Sequence, residues 1–184
     1  MAIIGVTGHR ILAEIEKIEA GIERAIERIE KTFPRHPLIC LSALAEGADT
    51  IVAKKVMARS LARLTAILPL PENDYITDFC SRESREEFLR LLNQSIEVIR
   101  LPALASRDEA YEAAGVYVLD HSDALIAVWD GQDAQGQGGT GEIVARARLR
   151  HLPIAWVKAG NRKPGTEEPT SLGEDQGKVV FENF

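Results

Sequence analysis

The chain has 184 residues, 45% hydrophobic and 27% charged, a balance that suits one globular domain and excludes disorder and collagen. Its 28 acidic residues outweigh 22 basic ones for a net charge of -6, so the molecule as a whole repels polyanions and anionic membranes. Cys40 and Cys80 are the only cysteines and lack C-x-x-C spacing; neither a disulfide framework nor a zinc knuckle is expected, and a reducing cytoplasm is.

In chain order, Met1-Ala-Ile-Ile-Gly-Val enters a strand-like run with no basic region and no cleavage site, unlike a signal peptide. No apolar stretch approaches the ~20 residues of a bilayer span. Short β-branched runs bounded by Gly or Pro alternate with stretches of helical spacing, the pattern of a parallel sheet with crossover helices. Strands are predicted near 2–6, 38–42, 63–68, 95–101, 124–129 and 153–157. The clearest helix lies between the first two, where Ile15, Ile18, Ile22, Ile26, Ile29 and Phe33 make one apolar stripe and Glu and Arg fill the other face. Further helices are predicted at 47–61, 82–94, 108–121 and 140–150. Right-handed crossovers then give a three-layer α/β/α Rossmann-like sandwich with a mostly parallel sheet. Residues 72–81 hold Tyr75 and Phe79 without clear periodicity, a lid or a long connection, with connection favoured. The Gly- and Pro-rich stretch 158–178 reads as a flexible excursion, and 179–184 as an edge strand.

In open parallel sheets ligands sit beyond the carboxyl ends of the strands, so the loops there carry the chemistry. The first strand runs into Gly5-Val-Thr7-Gly8-His9-Arg10, where glycines let backbone approach a ligand and free N–H groups entering a helix suit phosphate. The second runs into Ser42-Ala-Leu-Ala-Glu46-Gly47-Ala-Asp49; these polar residues serve either helix capping or a ligand. The fifth ends at Trp129-Asp130, and Gly138-Gly139-Thr140-Gly141-Glu142 follows at a helix start. Its glycines and hydroxyl form a second anion cradle, and Glu142 either favours the helix dipole or meets a ligand's sugar. Four scattered histidines show no metal spacing, and no cofactor is implied.

Together these loops resemble the SLOG superfamily, which unites DprA/Smf DNA-processing proteins with LOG-type "lysine decarboxylase-like" phosphoribohydrolases. Ser42-Ala-Leu-Ala-Glu-Gly-Ala-Asp49 is similar to the S-G-L-A-x-G-I-D element of the DprA branch, and Gly5-x-x-Gly-His-Arg10 to the G-S-R type loop at strand 1. His121-Ser-Asp-Ala-Leu-Ile-Ala-Val128 resembles the H-S-D-A-F-I-A-L run of LOG proteins, which precedes P-G-G-x-G-T-x-x-E. The resemblance implies a Rossmann-like fold and a nucleotide at these loops. There are departures. Ala114 stands where LOG enzymes have an arginine, Gln137 replaces the proline, and Glu142 falls two positions early. The fifth-strand region also resembles nucleoside 2-deoxyribosyltransferases, whose D-x-G-T-x-x-E element supplies a nucleophilic glutamate.

The leading expectation is therefore a small nucleotide or nucleotide-derived ligand, its phosphate at the Gly5–Arg10 and Gly138–Gly141 loops and its base near Trp129. The protein would act as a binding or sensor domain. An N-glycosidase reading gives Glu142 and Asp130 the paired-carboxylate roles of glycoside cleavage. A DprA-like DNA-handling module is disfavoured by acidity and by 5% aromatic content, since strand binding needs a basic groove and stacking rings. A homo-oligomer joined through the 179–184 tail is a further expectation, and a membrane partner is not.

Overall fold

A computed structural model describes residues 1–132 and 139–184. Seven strands form one sheet: β1 (Ala2–Gly8), β2 (Leu38–Ser42), β3 (Arg63–Leu68), β4 (Glu97–Arg100), β5 (Ala124–Trp129), β6 (Ile154–Lys158) and β7 (Val179–Glu182). Their order is β4-β3-β2-β1-β5-β6-β7; β1 to β6 run parallel and β7 returns antiparallel along β6. Helices α1 (Ile15–Thr32), α2 (Ala48–Met57) and α4 (Arg82–Gln94) cover one face, while α5 (Arg107–Asp120) and α6 (Thr140–Leu149) cover the other. The predicted three-layer α/β/α Rossmann-like sandwich is the architecture found. Among the described residues no helix is long and apolar enough to cross a membrane.

The layers follow from side-chain parity. Along β5 every residue is buried, as a strand covered on both faces requires. Ala124, Ile126 and Val128 point to the α1/α2 layer, and Leu125, Ala127 and Trp129 to α6. On α1, the stripe of Ile18, Ile22, Ile26 and Ile29 is fully buried, each side chain contributing about 1.5–3 kcal/mol. Glu19 and Glu23 on its outer side pair with Lys55 of α2.

Two connecting segments carry local order of their own. The 72–81 connection is a short helix α3 (Glu72–Tyr75) followed by a 3-10 turn. Tyr75 and Phe79 plunge from it into the core against Phe88; burying two aromatic rings outweighs the lack of a helical period in so short a run. The stretch after β6, expected as a flexible excursion, is tied down at its base. Arg162 and Pro169 bridge across an antiparallel loop, and Gln176, 4% exposed, ties its base together. Gln176 Oε1 accepts from the N–H of Gly160 at 2.9 Å and of Leu172 at 3.1 Å, while Nε2 donates to Ala13 O at 2.9 Å.

Candidate functional site

The loops after β1, β2, β3 and β5, the start of α6 and the 161–167 loop converge on one groove of about 920 Å³. It lies at the carboxyl ends of the parallel strands. The chain leaving β1 crosses to the α1 face and that leaving β5 to the α6 face. The groove therefore opens at the sheet's topological switch point, where open α/β sheets take ligands.

At the β1–β5 mouth, Thr7, Gly8, His9 and Arg10 line the groove with Asp130, Gly139, Thr140 and Gly141. His9 is locked between strands: its N–H donates to Val128 O at 3.0 Å, and its carbonyl accepts from Ala48 N at 3.1 Å. Its Nε2 accepts from the Asp130 N–H at 3.2 Å. Burial holds the imidazole below its ordinary pKa against the opposing pull of Asp130. Asp130 Oδ1 also accepts from Gln132 N at 3.0 Å, closing a tight turn. Thr140 and Gly141 open α6, whose first N–H groups have no intrahelical acceptor.

The glycines of the first two loops also let elements pack closely. A Cβ on Gly5 would meet Val118 Cγ1 at 2.9 Å, and one on Gly8 would meet Val128 O at 2.7 Å. Both serve close approach between elements; Gly8 also lines the groove and Gly5 does not. Gly47 has φ +80°, and a Cβ there would lie 2.6 Å from His9 O. It lets the β1 loop lie across the start of α2.

No protein-family model and no curated protein matches this chain.

In the β2 loop, Ser42 and Asp49 are both buried, and Ser42 Oγ donates to Asp49 Oδ2 at 2.9 Å while accepting from Leu44 N at 3.0 Å. Asp49 also takes the backbone N–H groups of Ala43 and Ala45, so it shapes the loop rather than capping its own helix. Burial raises its pKa to about 6 against the pull of these hydrogen bonds and of Arg10. Its carboxyl lines the groove while Ser42 lies behind it. Glu46 is a brace: Oε1 accepts from Cys80 N at 2.8 Å, and Oε2 meets Arg10 at 3.3 Å. Desolvation works upward on Glu46, but hydrogen bonds from Ser84 and Cys80 hold it below its ordinary value.

Three residues expected at the site lie at or after the end of β5. Trp129 lines the groove but is only 4% exposed. Trp156 and Arg148 cover its ring, and its indole N–H donates to Gln132 O at 3.1 Å. Its parity with Leu125 and Ala127 sends it under α6. Glu142 does not line the groove. Arg146, one helical turn on, holds its carboxylate at 2.6 Å and also pairs with Glu112 of α5. The two proposed catalytic carboxylates, Asp130 and Glu142, are thus not brought together on the groove wall. Gly138 lies outside the described residues.

At the opposite, β2–β3 end, Asp49 and Arg10 were expected, while Tyr75, Asp78 and Tyr111 were missed from sequence. Tyr75, Asp78 and Tyr111 line it with Asp49 and Arg10. Arg107 donates to Asp74 at 2.7 Å and to Asp78 at 2.6 Å, and Tyr111 bonds both Asp78 and Arg107. Burial, then the bond to Asp78, raises the Tyr111 phenol above its ordinary pKa. Arg10 joins the two ends by donating to Asp78 O at 2.6 Å. The one sequence signal here is the i, i+4 spacing of Arg107 and Tyr111.

Of the cysteines, Cys40 is core and Cys80 exposed. The Glu46 charge pushes the Cys80 thiol up, away from nucleophilic use. Among the described residues no group of three His, Cys, Asp or Glu side chains is placed to hold a metal ion.

Proposed function

We propose that the protein binds a small nucleotide or nucleotide-derived molecule in this groove and acts as a binding domain. The observation that carries the reading is the position of the groove. It sits at the switch point between β1 and β5, with the first turn of α6 on its wall. N–H groups and the positive end of a helix suit a phosphate without any lysine. The similarity of the β1, β2 and β5 loops to SLOG proteins points the same way.

Binding is favoured over N-glycosidic cleavage by the state of the carboxylates. A glycosidase needs two carboxyl groups facing one scissile bond, and Glu142 is taken up by Arg146 off the groove wall. A nucleic-acid strand is disfavoured by the lining, where Glu46, Asp49, Asp78, Asp130 and Glu167 outnumber Arg10 and Arg162.

The test is a thermal-shift panel of nucleoside monophosphates, NAD and ADP-ribose, with free base followed by chromatography. Stabilisation without turnover is expected. Release of base that disappears in Glu142→Gln would establish the enzyme instead. No shift with any nucleotide, together with salt-sensitive retardation of oligonucleotides, would overturn the reading in favour of a DNA-handling module.

A further inference from the structure

The groove holds one buried polar group that the protein itself does not use. Tyr75 is 4% exposed, and its ring is fixed edge-on by Phe79 and Phe88 at centroid distances of 5.5 and 5.6 Å. It lines the β2–β3 end of the groove, and among the described residues its hydroxyl has no hydrogen-bond partner. Nor is that oxygen sealed in. Arg59 Nε is the one fully enclosed side-chain polar atom without a partner among the described residues, so the Tyr75 hydroxyl opens to the groove.

Its polar neighbours are already engaged. Asp78 is held by Arg107 and Tyr111, Arg10 by Asp78 O and Glu46, and Asp49 by Ser42 and two loop N–H groups. Buried polar groups in folded proteins are normally paired, and an unpaired hydroxyl facing a cavity calls for an outside partner.

The surroundings define that partner's chemistry. Asp49, Asp78 and Glu46 line the groove here with Arg10, and the guanidiniums of Arg10 and Arg107 are already bonded to Glu46 and Asp78, so this end holds no surplus cation for an anion. Ala43, Ala45, Pro69 and Ala114 supply apolar wall between the polar tips, as in sites for ring-shaped ligands. A phenol both donates and accepts one hydrogen bond, matching a base edge or a sugar hydroxyl.

We infer that the β2–β3 end is the subsite for the uncharged nucleoside end of the ligand, gripped by the Tyr75 hydroxyl, and that the phosphate end lies at the α6 mouth. The inference rests on the nucleotide reading above and adds the ligand's orientation and a residue that determines specificity.

Calorimetric titration of wild type and Tyr75→Phe with AMP, GMP, CMP and UMP, ribose 5-phosphate and inorganic phosphate tests it. The best-binding monophosphate should lose about 3- to 10-fold in affinity in the variant, the span expected for one neutral hydrogen bond. Inorganic phosphate should lose nothing. An unchanged ribose 5-phosphate affinity assigns Tyr75 to the base, and a parallel loss assigns it to the sugar; either supports the orientation. The ligand-free variant should melt at the wild-type temperature or slightly above it, because the deleted hydroxyl has no partner in the protein. Unchanged monophosphate affinity, a loss confined to phosphate, or a lower melting temperature of the free variant would each overturn the inference while leaving nucleotide binding intact. Failure of every monophosphate to bind wild type would overturn both.

Discussion

The two ends of the groove are built in opposite ways. The β1–β5 mouth is made of short runs of neighbouring residues, His9 and Arg10 on one side and Gly139 to Gly141 on the other, with the first turn of α6 on its wall and His9 bonded to Asp130 beside it. The β2–β3 end is assembled from Asp49, Tyr75, Asp78 and Tyr111, and it works through carboxyl and phenol groups. Backbone donors at a helix start are indifferent to pH and tolerant of side-chain change. Buried side-chain acids and phenols respond to both. The mouth is thus suited to holding a constant part of a ligand, and the far end to discriminating a variable one.

The largest expected break in this contrast comes at Gly47, which clamps the mouth to α2. Gly47→Ala places a Cβ against the carbonyls of Arg10 and His9 at φ +80°. Backbone strain and overlap together should cost about 4 kcal/mol in urea unfolding; a loss under about 1 kcal/mol would show the loop to be soft.

The next tests the acidic end. Asp49 titrates at about 6 in the folded protein against an ordinary 3.8, so between those values the folded state holds the extra proton. Stability from this group is greatest below pH 3.8 and declines as pH rises to 6, by up to about 3 kcal/mol. The stability of wild type relative to Asp49→Asn should fall across that window, and a flat difference would contradict the buried placement of the carboxyl. Tyr111→Phe removes one hydrogen bond to a charged acceptor and one from Arg107. It should cost about 1.5 kcal/mol and weaken monophosphate binding more than phosphate binding. Glu142→Gln is the smallest: it disturbs a partly exposed ion pair, so stability should change by under about 0.5 kcal/mol and ligand affinity should not move.

The legibility of these regions from sequence differs for physical reasons. Strands and helices were readable because β-branched runs such as Leu125-Ile-Ala-Val128 and the Ile stripe of α1 carry their own periods. The mouth was readable because its residues adjoin strand ends. Even there, a sequence does not distinguish a glycine on the groove wall, such as Gly8, from one such as Gly5 that admits only Val118. Trp129 and Glu142 did carry a signal: parity with Leu125 and Ala127 for the first, an arginine four residues on for the second. Tyr75 carried none. Only the fold brings a residue from a ten-residue connection beside Asp49 and Tyr111, and no local pattern encodes that.

The reversed direction of β7 has a practical meaning for handling the molecule. β1 begins at the amino-terminal ends of the parallel strands, remote from the groove, and β7 carries the chain back to that same end, where Asn183 donates to Leu152 O at 3.3 Å just ahead of β6. A dye, a surface tether or a fused reporter joined at residue 1 or 184 therefore hangs from the side opposite the groove, leaving it open to the solution.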